Sequence, residues 1–111
     1  MILIKNAGSG KELECETAYT FFDKVRGLMF RKKIAPILFD FNYEGTHGIH
    51  SFFVFSPFYA IYLSASKEVI DKFRVVPNEA YRCNASPARY LLEIDEGRAA
   101  WFNKGDKVVF E

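Results

Sequence analysis

Lys11-Glu12-Leu13-Glu14-Cys15-Glu16-Thr17-Ala18 alternates in character with a period of two. Leu13, Cys15 and Thr17 fall on one side of an extended chain, and Glu12, Glu14 and Glu16 on the other. Successive side chains point to opposite faces only in a strand, so this octapeptide reads as a half-exposed β-strand. Just before it, Asn6-Ala7-Gly8-Ser9-Gly10 is a turn-rich group that ends the apolar run Ile2–Ile4. Two apolar segments flanking such a turn predict a hairpin.

Further along the chain the period changes once. Thr20 is a helix-capping residue with Asp23 three positions on, and Phe21, Val25 and Leu28 recur at helical spacing. This predicts a helix over Phe21–Leu28. Gly27 limits it to about two turns. Beyond Pro36 the pattern is short apolar runs separated by turn residues. Strands are expected at Ile37–Phe41, Ile49–Phe55, Phe58–Leu63, Val69–Val76, Arg89–Ile94 and Lys107–Phe110. Asn42–Gly48 reads as a loop, and Pro77–Pro87, rich in Pro, Asn and Ser, as a long one. A second short helix is expected within Asp95–Phe102. Seven or eight short strands with two short helices predict a mostly β fold with short helices (α+β). The expected architecture is a compact β-barrel-like or sandwich domain spanning residues 1–111.

Composition supports a packed core. Of 111 residues, 50% are hydrophobic and 17% aromatic, so intrinsic disorder is excluded. Fifteen basic and fourteen acidic residues leave a net charge of +1, which gives no field directed at nucleic acid or an anionic membrane. No charged start leads into an apolar leader, and no apolar stretch is long enough to span a bilayer. A cytoplasmic location is therefore expected. Cys15 and Cys83 are too few for a disulfide framework and are expected as two buried free thiols.

Three stretches resemble one family. The first is Arg26-Gly27-Leu28-Met29-Phe30-Arg31. The second is Ile49-His50-Ser51-Phe52-Phe53. The third is Pro87-Ala88-Arg89-Tyr90-Leu91-Leu92-Glu93-Ile94, followed by Gly97 and Gly105-Asp106. In this order they resemble the family known as domain of unknown function 192, over nearly the whole chain. The resemblance implies a compact barrel-like β fold with short flanking helices. It implies no activity, because the family is uncharacterised. The chain departs from the family pattern at Val54, Phe55, Phe58 and Tyr59, where members carry Met, a basic residue and an Ile-Asp pair. A phenol, Tyr59, thus stands where the family has a carboxylate.

Few residues have the pattern of a reactive site. Arg26 and Arg31 flank the end of the expected helix, where the dipole favours a cation, and with Arg89 they form a candidate anion site. His47-Gly48-Ile49-His50 offers two imidazoles, but no four-ligand spacing accompanies them, so no metal is expected. His50 fits a core histidine or a general base in a cleft. Cys83 fits an inert thiol better than a nucleophile paired with His50 and Glu93. Glu93 lies opposite Tyr90, Leu92 and Ile94 on its strand, where it is solvated, ion-paired or part of a pocket with His50. Phe52, Phe53, Phe55, Phe58 and Tyr59 lack the flanking cations of a base-stacking surface and read as barrel core.

No phosphate loop or nucleophile elbow is present. The leading expectation is a non-catalytic small β-barrel binding domain for a small molecule or protein segment, with Arg26, His50 and Glu93 at its pocket. The alternatives are a small hydrolase or transferase using His50 and Glu93, and an accessory protein-interaction domain. No cofactor, nucleic-acid partner or membrane partner is expected.

Overall fold

The structure, a computed structural model, describes residues 1–18 and 27–111. The helix expected over Phe21–Leu28 lies almost wholly outside the described residues, as does Arg26. Among those described, the strands are β1 (Ile2–Asn6), β2 (Glu12–Ala18), β3 (Ile37–Gly45), β4 (Phe58–Leu63), β5 (Val69–Val75), β6 (Ala88–Ile94) and β7 (Val108–Phe110). The helix α1 (Glu96–Ala99) follows β6. Asp95 caps it by accepting from the Arg98 N–H, which satisfies one of the donors a helix start leaves open.

The expected hairpin is present. Ile2 pairs with Cys15 and Lys5 with Glu12 across an antiparallel ladder. Asn6 closes the turn: its Oδ1 accepts from the N–H groups of Gly8 and Ser9, and its carbonyl from Gly10. Gly10 takes φ +78°, a conformation a side chain resists.

All strands form one sheet in the order β5-β4-β6-β3-β2-β1-β7. Only β2 and β3 run parallel, with Glu16 beside Ile37. The sheet curls until its edges meet. Glu68 bridges Lys107, and Val69 donates to the Asp106 carbonyl and accepts from Gly105.

Both faces of the central strands are covered. One face holds Ile4, Leu13, Cys15, Leu38, Ile61, Leu92, Ile94 and Phe102. The other holds Leu28, Ile37, Phe39, Val54, Phe58, Ala60 and Leu91. A fully buried Leu or Phe is worth about 1.5–3 kcal/mol, so each face contributes substantially. The pattern Glu12–Ala18 records where the second cover begins: Glu12 and Glu14 are exposed, whereas Glu16 is half-buried and Ala18 buried.

Two expectations about elements need correction. The loop expected from Asn42 is still strand as far as Gly45. Asn42 takes φ +66° at an irregularity in the β3–β6 register, and its N–H bonds the Asp40 carboxylate. The strand expected at Ile49–Phe55 is absent. Ile49 alone bridges Arg82, and the chain then turns. Phe53 takes φ +61°, outside the β region of regular strands. Fully buried Ser51 instead bonds the neighbouring loop: its Oγ donates to the Val76 carbonyl and accepts from the Glu79 N–H. The expected barrel-core aromatics consequently divide. Phe58 is buried and Tyr59 half-buried, whereas Phe52, Phe53 and Phe55 are exposed.

Candidate functional site

Glu93 is the feature around which a site can be built. It sits in β6 between Ile37 of β3 and Ala60 of β4, in the middle of the sheet. Alternation puts it on the face away from Leu92 and Ile94, where a solvated acid would be harmless. That face is the second core, and Glu93 is only 5% exposed. Among the described residues its carboxyl has no hydrogen-bond partner. Burial drives its pKa up to about 8, opposed by the Arg31 charge. Removing a carboxylate from water without a partner favours the neutral acid, so Glu93 carries its proton at neutral pH.

Arg31 does not pair with it. Its guanidinium grips Glu16 of β2 through two hydrogen bonds of 2.6 and 2.8 Å. Its buried Nε has no partner among the described residues. Arg89 is likewise committed to Asp40. The anion site expected from Arg26, Arg31 and Arg89 is therefore not assembled by the two described members, each of which holds a different carboxylate.

Beside Glu93 lies a cavity of about 50 Å³, lined by Gly27, Leu28, Met29, Phe39, Phe41, Ile49, His50, Val54, Phe58, Leu91 and Glu93. That is room for roughly three or four water-sized groups. The Gly27 backbone forms part of the wall, at φ +45°. A Cβ there would lie 3.3 Å from Glu93 Oε1 and 3.4 Å from the Phe39 ring. The glycine thus meets two demands, a left-handed backbone and close approach to the acid.

His50 and Glu93 line the same cavity, so two of the three expected pocket residues share one hollow. Arg26 lies outside the described residues. His50 is exposed, with Nδ1 accepting from the Phe52 N–H at 3.2 Å and its ring beside that of Phe52. His47 is a core histidine, stacked on Phe41 at 3.8 Å, with its carbonyl accepting from the buried Tyr62 hydroxyl. No cluster of three metal-binding side chains exists among the described residues. Cys83 is exposed, which corrects the expectation of two buried thiols; Cys15 is buried and its thiol is pushed up to about 12 by desolvation. Tyr59 packs on the opposite face of the sheet, under the Lys72 ammonium, away from the cavity.

The sequence alone did not single out Gly27 as a wall of the site, or Phe39 and Phe41 as its lining. Gly27 within Arg-Gly-Leu-Met-Phe-Arg is the signal that was available: a glycine at a helix end often marks a positive φ.

The profile of DUF192, described as an uncharacterized ACR, matches residues 2–110. The chain belongs to this family. Its relatives include a UPF0127 protein of Thermococcus sibiricus, 29% identical over all of this chain and 75% of that protein. A UPF0127 protein of Pyrococcus furiosus is 30% identical over 83% of this chain and 82% of its own length. Two crystal structures share the fold. A Novosphingobium aromaticivorans protein of unknown function has a TM-score of 0.85 at 24% identity, covering 97% of this chain and 82% of its own. A Sinorhizobium meliloti protein, provisionally described as a transcription regulator, has a TM-score of 0.82 at 22% identity, covering 98% and 91%. At these identities the likeness of the DUF192 chain to both is one of fold.

Proposed function

We propose that this DUF192 chain is a binding domain whose aromatic cavity takes a small, uncharged, largely apolar group and holds it through the protonated Glu93 carboxyl. The observation that supports this reading is a buried acid on a cavity wall with no hydrogen-bond partner among the described residues. A carboxyl that faces the cavity and that no described protein group engages is free to bond an incoming acceptor. A neutral carboxyl donates one hydrogen bond and still accepts, so a carbonyl or amide group suits it better than a cation. Phe39, Phe41 and Phe58 supply the apolar walls usual in a small-ligand site, and exposed His50 stands at the mouth.

Acetamide, with four heavy atoms, is a suitable probe. Titration followed by amide NMR should give saturable shifts at Gly27, Phe39 and Leu91, and Glu93→Leu should abolish them. Shifts absent from the wild type would overturn the reading.

One observation favours an enzyme as the second reading. A carboxyl group titrating near 8 is poised for proton transfer at neutral pH, and His50 lines the same cavity. A hydrolase or transferase activity lost separately in Glu93→Gln and His50→Ala would select it.

A further inference from the structure

We propose that the two turns carrying Phe30 and Phe53 form a docking face for an anionic membrane surface. Phe30, Phe52, Phe53 and Phe55 expose 62, 43, 55 and 58% of their surface. Scattered exposed apolar residues are ordinary, but four phenylalanines on two adjoining turns form a patch. The turns are tied together. The Phe30 N–H donates to the Phe53 carbonyl at 2.7 Å, and the two rings stack at 5.0 Å. They are also anchored: the Ser51 carbonyl accepts from Asn78 and Val54, beyond its side-chain bonds to Val76 and Glu79. The patch is therefore a held surface.

Its backbone is strained. Phe30 and Phe53 take φ of +63° and +61°, a region bulky side chains avoid. Glycine would relieve both positions, yet each carries a ring held toward water. Strain kept at an exposed apolar site points to a function for the rings.

The charge around the patch names the occupant. Residues 27–39 and 45–67 contain no Asp or Glu, although the whole chain has fourteen. Lys32 and Lys33 are exposed two and three positions after Phe30, while Arg31 is held by Glu16. The acids that bond these turns, Glu16 and Glu79, are already paired with Arg31 and Arg82. Among the described residues a second copy docking through the same face would therefore offer these lysines no uncommitted carboxylate there, and self-association is disfavoured. An anionic lipid surface answers both features. Phenyl rings enter the headgroup–acyl boundary while lysines meet the lipid charge, each worth roughly fivefold in binding. No helix among the described residues can cross a membrane, so the contact is peripheral. It departs from the absence of a membrane partner expected from net charge, because the cations are local to the patch.

Vesicle co-sedimentation tests this. The chain should sediment with vesicles of equal parts phosphatidylglycerol and phosphatidylcholine, and at least about tenfold more weakly with phosphatidylcholine alone. Lys32→Glu with Lys33→Glu should reduce binding to the phosphatidylcholine level. Phe30→Gly with Phe53→Gly should abolish it while leaving the unfolding temperature unchanged or raised, since glycine accepts the left-handed backbone. Failure to sediment with anionic vesicles, equal binding to both vesicles, or wild-type binding by the glycine variant would each overturn the proposal. So would a solution dimer dissolved by Phe30→Gly, which would assign the face to a second copy.

Discussion

The two faces of the sheet are built from the same strands and differ in what covers them. The face carrying Cys15, Leu92 and Phe102 is closed by α1, by β7 and by the curl of the sheet itself. Leu13, Leu38, Ile61 and Ile94 pack there as well, and Tyr90 at its edge meets the Phe110 ring at 5.0 Å. Among the described residues, the opposite face is roofed by turns. Under them lie a cavity and a protonated acid, and the turns themselves carry the strained Phe30 and Phe53 and a glycine in a left-handed conformation. Among the described residues, regular elements cover one core, whereas turns cover the other and bring their irregularities with them. The proposed binding cavity lies on the roofed face for that reason.

The contrast can be broken chemically. A thiol reagent should label Cys83 at once and Cys15 only on global unfolding, slower by at least about a thousandfold, because burial both shields that thiol and keeps it protonated. Rapid labelling of both in native protein would mean that the closed face opens readily.

The next largest effect is the pH dependence set by Glu93. Its folded pKa is raised, so the folded state holds the proton over a range where the unfolded state has lost it. Stability is therefore highest below the ordinary carboxylate value and falls as pH rises toward about 8. The slope contributed is at most about 1.4 kcal/mol per pH unit. Glu93→Gln should remove that slope and be the more stable form at pH 8 in urea titrations. A wild-type slope that persists in the variant would assign it to other groups.

Gly27→Ala should cost about 1–3 kcal/mol, since the new methyl meets Glu93 and Phe39 on a left-handed backbone. The loss should shrink in Glu93→Ala, where one of the two contacts is gone; equal losses in both backgrounds would show that backbone strain alone is responsible. The smallest effect is expected on the rim, where Arg74 and Glu96 pair while each about half exposed. Removing either should change stability by less than about 1 kcal/mol, and less in high salt.

The strands that alternate cleanly could be read from sequence: β2 from its glutamates, β6 from Tyr90, Leu92 and Ile94. The segment Ile49–Phe55 misled because apolar content without alternation fits a buried strand as well as an exposed turn. What separates the two is Ser51, whose hydrogen bonds run to residues 76–79, a tertiary fact with no local signature. Glu93 was legible as a candidate, but its burial was not. A strand's outward face looks solvent-facing in sequence until some distant segment covers it, and here the cover comes from around Leu28, Val54 and Phe58. The role of Gly27 depends on that same cover.

The meeting of the sheet's two edges has a consequence for how the chain is assembled. β7 pairs with β1, more than ninety positions earlier, and residues 105–108 bond Lys67 and Val69. Most of the other pairings join segments much closer in sequence. During synthesis β1 and β2 can form their hairpin early, yet the free edge of β1 stays uncapped until residues 108–110 have left the ribosome. An unpaired edge strand is a template for other chains, and contacts of long sequence separation form slowly. The three residues of β7 therefore act as a late clasp: they convert an open ribbon, able to recruit neighbours, into a curl with its edge protected.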